Sequence, residues 1–251
     1  MSGWDYTSLL EAARSDEQVL GLVLSGSRGR GVFVRPESDW DVRLVVRDEA
    51  LAECEHRFGT PHGSLVEVAV FSLADFEKAS AIGSPSEWDR YSYAHAEIAL
   101  DKLDGGITDL VAEKSILPLA AARQIGERTL DTYINSYFRS AKNLRNGLVV
   151  EAHLDAAESI SPFLTALFAI HERVRPFNRF LRWELETLPL GGDVWSAAIL
   201  LPRLQAITTT GAIAEQQSLF RDVERLARQH GLGDVVDGWE PDVAWLRGAT
   251  V

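Results

Sequence analysis

The residues with the clearest chemical content in this 251-residue chain fall within about forty positions: Gly26-Ser27, then Asp39-Trp40-Asp41, then Glu67. Two carboxylates at i and i+2 of an extended segment project from one face, a few ångströms apart. Left unpaired, two ionised groups so close repel each other, and one tends to keep its proton. A divalent cation removes that conflict and gains hard oxygen ligands, with Mg2+ the natural occupant. Glu67 sits between Val66 and Val68, where a buried charge needs a partner. If its strand lies beside that of Asp39 and Asp41, the three acids make a metal site with room for two ions. Such a pair would bind nucleotide phosphates, activate an attacking hydroxyl and stabilise departing pyrophosphate.

Gly26 and Ser27 suit the other half of that chemistry. A glycine lets the backbone approach a phosphate closely, and a serine offers a hydroxyl and an N–H. Arg28 and Arg30 share the loop and could add charge-assisted contacts to a triphosphate. Glycines 26, 29 and 31 are spaced neither as a Walker A loop nor as a dinucleotide fingerprint, which counts against kinase and Rossmann readings. Each feature alone is commonplace, as in a D-x-D on a solvated edge or a Gly-Ser in a turn. Their conjunction is what points to chemistry.

The elements that must position these residues read as follows. Residues 19–24 (VLGLVL) are a buried strand ending at Ser25-Gly26. Residues 39–46 alternate, with Trp40, Val42, Leu44 and Val46 on one face and Asp39, Asp41 and Arg43 on the other. Residues 64–71 are a third strand, with Val66, Val68 and Val70 facing away from Glu67, Ala69 and Phe71. A short helix, a strand near 96–101 and a helix ending near 115 complete the first part. From Pro118 onward the pattern is helical, near 119–146, 155–173, 177–187, 194–209, 213–229 and 240–247. The expected domains are 1–117 and 118–251, with no linker, repeat or low-complexity run between them.

Strand, Gly-Ser, gap and Asp-apolar-Asp-apolar together resemble the signature of the polymerase-beta-like nucleotidyltransferase superfamily. Gly26, Ser27, Asp39 and Asp41 match it, and Glu67 fits its third carboxylate. The match covers about 45 residues. A small domain of this kind followed by helices is similar to the aminoglycoside and lincosamide nucleotidyltransferases. The resemblance implies an α+β fold, a small mixed sheet with flanking helices followed by an all-α bundle that binds substrate. It also implies transfer of a nucleoside monophosphate, AMP first, from NTP (ATP first) to a hydroxyl of a small molecule such as an antibiotic of those classes. The acceptor is not set by fold, because the superfamily modifies antibiotics, tRNA ends and proteins alike. Transfer to tRNA or protein, and a non-catalytic antitoxin-like partner, are the alternatives. Relatives include dimers, so a homodimer is compatible.

Relatives also draw a base and a phosphate-binding lysine from the helical half. Here Lys142, with Arg145 and Asn146 on one helix face, and Asp155 with Glu158 three residues on, are the candidates. The bland reading makes Lys142 and Arg145 favourable charges at a helix C-terminus and Asp155 a cap or first-turn acid. The aromatic residues of 173–183 (RVRPFNRFLRW) read as core, and none of the six histidines has ligand spacing.

Bulk properties bound these readings. With 46% apolar and 25% charged residues the chain is globular in composition. A net charge of −12, ten of it in the first 115 residues, argues against a nucleic-acid footprint. The single cysteine, Cys54, cannot form an internal disulfide, so a reducing, cytoplasmic setting is expected. The first residues lack the basic and apolar regions of a secretory signal, and no apolar run is long enough for a membrane span.

Overall fold

A computed structural model describes residues 3–248. The chain divides into two compact units, Met1–Ile116 and Leu117–Val251. The fold is α+β: a small mixed four-stranded sheet with flanking helices in the first unit, helices alone in the second.

In the first unit, α1 (Tyr6–Ser15) starts where the Asp5 carboxylate accepts the Ser8 N–H, and it ends before β1 (Val19–Leu24). A one-turn helix, α2 (Gly26–Arg30), stands where the sequence suggested only a turn. Then come β2 (Trp40–Val46), α3 (Leu51–Phe58), β3 (Val66–Ser72), α4 (Leu73–Lys78), a 3-10 segment over Glu87–Ser92, β4 (Glu97–Asp101) and α5 (Gly106–Ser115). The sheet order is β3-β2-β1-β4; β1 is antiparallel to β2 and β4, and β2 is parallel to β3. The expected alternation is what the sheet uses. Val42, Leu44, Val46, Val66 and Val68 pack against Leu9 and Ala13 of α1 and Cys54 and Phe58 of α3. Val23 and Val45 turn to the opposite face, towards Phe76 of α4, Tyr93, and Ile107 and Val111 of α5. Cys54 is a buried free thiol within the first of these layers.

Two buried cations tie this second layer together. Lys114 Nζ donates to the carbonyls of Glu77 and Ala79, each at 2.8 Å. Arg90 donates to the carbonyls of Ser80, Glu113 and Ile116. Both groups satisfy carbonyls at the C-terminal ends of α4 and α5, which have no partner within the helix.

The second unit comprises α6 (Leu119–Arg145), α7 (Val149–Ile170), α8 (Leu181–Thr187), α9 (Ala197–Thr210), α10 (Ile213–Gln229), α11 (Gly233–Asp237) and α12 (Asp242–Leu246). Its core is one cluster built on Tyr133, Tyr137, Phe163, Phe168, Leu200 and Phe220. Two differences from the sequence reading have clear causes. Helix α7 begins six residues before the expected 155, because its inward positions there are small (Ala152, Ala156, Ser159) while Val149, Val150 and Leu154 are exposed, which hides the apolar period. Helix α11 falls between the helical segments that the sequence pattern marks; at five residues it carries no readable stripe. No helix among the described residues is long and apolar enough to cross a membrane.

Candidate functional site

The site residues of the first unit gather where β1 ends and β2 begins. Parallel pairing sets Asp41 directly beside Glu67, then Arg43 beside Ala69 and Val45 beside Phe71, all on one sheet face. Asp39 precedes the strand by one residue and is exposed. Asp41 is half-buried; burial first, and then the neighbouring Asp39, hold its carboxyl above the usual carboxylate range. Arg43 and Arg30 pull the other way, and Glu67 adds to the repulsion.

Opposite Asp41 stands Gly26, at φ +66°. A Cβ at this position would lie 1.9 Å from Asp41 Oδ2, so the carboxylate occupies the space a side chain would need. Gly29 is constrained as tightly, by the carbonyl of Leu24 at 2.2 Å from its would-be Cβ. The turn is fastened by Ser25, whose N–H donates to the Asp41 carbonyl at 2.9 Å and whose own carbonyl accepts from Gly29 at 3.0 Å. Ser27 is buried beneath it.

Glu67 has both oxygens engaged: Oε1 with His62 Nδ1 at 2.7 Å, and Oε2 with the Gly63 N–H at 3.1 Å. The His62 bond holds the Glu67 carboxyl below its usual range and raises the imidazole in return. Among the described residues no three His, Cys, Asp or Glu side chains converge as a ready cage for a metal ion. The donor set nevertheless fits Mg2+ in kind. All three acids offer hard oxygens, and the repulsion felt by Asp41 is what a cation would relieve. Asp39 and Asp41 would hold it, with Glu67 joining once it leaves His62.

Both loop arginines bond to backbone carbonyls of the first unit. Arg28 stacks on the Trp40 ring at 4.3 Å, which in turn stacks on Tyr6. Because Trp40 and Asp41 alternate, this carries Arg28 to the far side of the sheet, where its Nε donates to the Ser38 carbonyl at 2.9 Å. It braces the turn that delivers Asp39. Arg30 folds back on the loop, donating to the carbonyls of Gly26 and Tyr91.

Arg43 is a cation on the Asp41 face, where strand alternation places it without giving it a role. It contacts Ser25 and Asp89. Its i+2 spacing from Asp41 was the available signal. Asp89 and His62 had none, since only the folded chain brings them to the strands.

In the second unit, Lys142 lies exposed in the last turn of α6, with its Nζ 5.9 Å from the Phe138 ring centroid. The early start of α7 puts Asp155 in the second turn, past the cap and first-turn positions. Asp155 accepts from Asn143 at 2.8 Å and pairs with Arg139 at 3.0 Å. Glu158 shares that arginine and is 62% exposed along its side chain.

No family model matches the chain, and no curated protein matches it in sequence. Among solved structures it is similar to a nucleotidyltransferase-like protein from Exiguobacterium sibiricum 255-15, with a TM-score of 0.41 and 11% identity, covering 93% of this chain and 88% of that one. The functional reading rests on the residues described above.

Proposed function

We propose that the chain is a Mg2+-dependent nucleotidyltransferase that moves a nucleoside monophosphate, AMP first, from NTP to a hydroxyl of a small molecule, releasing pyrophosphate. The observation that carries the reading is the placement of Asp41, flanked in register by Glu67 and faced by a glycine turn with no room for a side chain. It is joined by the match of Gly26, Ser27, Asp39 and Asp41 to the superfamily signature. Bound Mg2+ would supply charge neutralisation at the phosphates and an acidified acceptor hydroxyl. The chain's own part is to present Asp39 and Asp41 as ligands, keep the Gly26-Ser27 backbone open to phosphate, and release Glu67 from His62.

From the helical unit, Lys142 is proposed as a phosphate contact and Glu158, ahead of Asp155, as the base. Glu158 is the more exposed of the two, whereas Asp155 has both Asn143 and Arg139 as partners. An acceptor of antibiotic type, aminoglycoside-like or lincosamide-like, is the first to test; a cationic one would be drawn to the acidic first unit.

The test is transfer of label from α-labelled NTPs to panels of aminoglycosides, lincosamides, tRNA and cell extract, with Mg2+ present or chelated. Label should move to a small molecule only with Mg2+, and Asp39→Asn or Asp41→Asn should reduce it at least about a hundredfold, as expected for a lost metal ligand. Glu158→Gln should cut turnover while nucleotide binding persists. Full activity in both aspartate variants would refute the assignment of the metal site, and transfer to tRNA or protein alone would replace the acceptor.

A further inference from the structure

Arg43 is 13% exposed along its side chain, and its guanidinium is held on two sides by the protein. Its Nη2 donates to Asp89 Oδ2 at 2.8 Å, its Nη1 donates to Ser25 Oγ at 2.5 Å, and its guanidinium lies 4.9 Å from the Tyr93 ring centroid. Asp89 is itself set by Ser92, whose hydroxyl donates to the other carboxylate oxygen at 2.5 Å. This fork has a direction. One arm is anchored in the 3-10 segment Glu87–Ser92, and the other ends on Ser25.

Ser25 is the joint of the site. Its N–H and its hydroxyl both reach the carbonyl of Asp41, at 2.9 and 3.3 Å, and its own carbonyl accepts from Gly29. Moving Ser25 therefore moves the Gly26-Ser27 turn against the Asp41 carboxylate, in a place where a Cβ would already clash. A planar, doubly bonded guanidinium fixes both distance and angle in a way that a lysine point charge does not. A nearly buried cation is also a costly choice for filling space alone.

We propose that Arg43, oriented by Asp89, is a positioning residue: through Ser25 it holds the Gly26-Ser27 turn at the separation from Asp41 that a metal-bound triphosphate requires. The proposal rests on the nucleotidyl-transfer reading and deepens it, because Asp89 and Ser25 would govern nucleotide affinity from outside the set of metal ligands.

The experiment measures binding of Mn2+ with the non-hydrolysable analogue α,β-methylene-ATP to the full chain by calorimetry, in wild type, Ser25→Ala, Ser25→Thr, Asp89→Asn and the Ser25→Ala/Asp89→Asn double variant. Near-UV circular dichroism and Tm serve as the check on folding. Each single variant other than Ser25→Thr should bind about tenfold more weakly, the size of one lost charge-assisted hydrogen bond. The double variant should be no weaker than the weaker single, because both changes cut the same strut. Ser25→Thr, which keeps the hydroxyl, should recover most of the affinity. Wild-type affinity in folded Ser25→Ala and Asp89→Asn would overturn the proposal, and so would losses that multiply to about a hundredfold in the double variant. Should Asp89→Asn fail to fold, Arg43→Lys, which keeps the charge but not the two-armed bond, takes its place: about tenfold weaker binding is expected, and wild-type affinity would overturn the proposal. No binding by the wild type would instead sink the nucleotidyl-transfer reading, and that is seen before any variant is made.

Discussion

At the scale of residues, the site depends on one contact that no side chain can share. Gly26 and Gly31 both have φ +66°, but a Cβ at Gly26 meets Asp41 Oδ2 at 1.9 Å whereas at Gly31 nothing lies within 4 Å. Gly31→Ala should therefore cost only the left-handed strain of a non-glycine residue, about 1–2 kcal/mol by chemical denaturation. Gly26→Ala carries the same strain plus displacement of the Asp41 carboxylate, so it should be the less stable of the two. It should also lose Mn2+-nucleotide binding, which Gly31→Ala retains. Equal stability and equal binding in the two variants would mean that the Asp41–Gly26 contact has no bearing on the site. Gly-Ser and the two aspartates were legible because they sit in one continuous stretch with strand alternation around them. Asp89 and His62 were not, because their relation to Ser25 and Glu67 exists only after the 3-10 segment and the β3 loop have folded against the strands.

At the scale of elements, the helices of the second unit are held by polar contacts as well as by their apolar stripes. Tyr137 lies in the middle of α6, and its hydroxyl donates to the carbonyl of Leu246 at 2.7 Å, tying the end of α12 to the core. The tyrosine is fully buried, and burial holds its hydroxyl in the protonated, donating form far above neutral pH. Tyr137→Phe keeps the ring and leaves that carbonyl without its partner, a loss of about 1–2 kcal/mol. Amide hydrogen exchange should show the penalty locally, with faster exchange over residues 242–248 and unchanged protection in the middle of α6. An unchanged rate in 242–248 would show that apolar packing alone seats α12. The lengths of α6 and α10 followed from periodicity, as Leu130, Ile134, Tyr137 and Ala141 in one and Leu219, Phe220, Val223 and Leu226 in the other repeat at helical spacing. The start of α7 did not, because small inward residues carry no hydrophobic signal even where they allow close helix approach.

At the scale of the whole molecule, charge is unevenly spread, and the two units answer to pH through different groups. Ten of the twelve net negative charges lie in the first 115 residues, so a bare triphosphate approaching Asp41 is repelled unless a cation accompanies it. In the second unit, His171 closes α7 with its ring 5.7 Å from that of His230. Burial first, then His230 and Arg173, lower its pKa from 6.5 to about 4. Above pH 6.5 the imidazole is neutral in folded and unfolded chains alike. As the pH falls from there to about 4, the unfolded chain takes up a proton that the folded chain refuses, so stability declines across that window. Allowing for the partial exposure of the ring, the loss should be on the order of 1–2 kcal/mol. His171→Gln should remove that share of the slope in urea unfolding followed against pH. A slope identical to wild type would mean that the buried imidazole does not govern it.

The local rules were legible along the chain: which strand residues face which side, where Gly-Ser and the paired aspartates fall, where most of the helices run, and how the acid charge is distributed. These are readable because alternation, helical periodicity and glycine spacing are properties of neighbours along the chain. Folding alone set Glu67 in register with Asp41 while bonded to His62, and carried Arg28 to the far face on Trp40. It also placed Arg43 between Asp89 and Ser25. The physical reason is that strand order, register and the approach of distant loops are set by packing among segments far apart in sequence, and a charged side chain takes whichever partners that packing brings within hydrogen-bond reach.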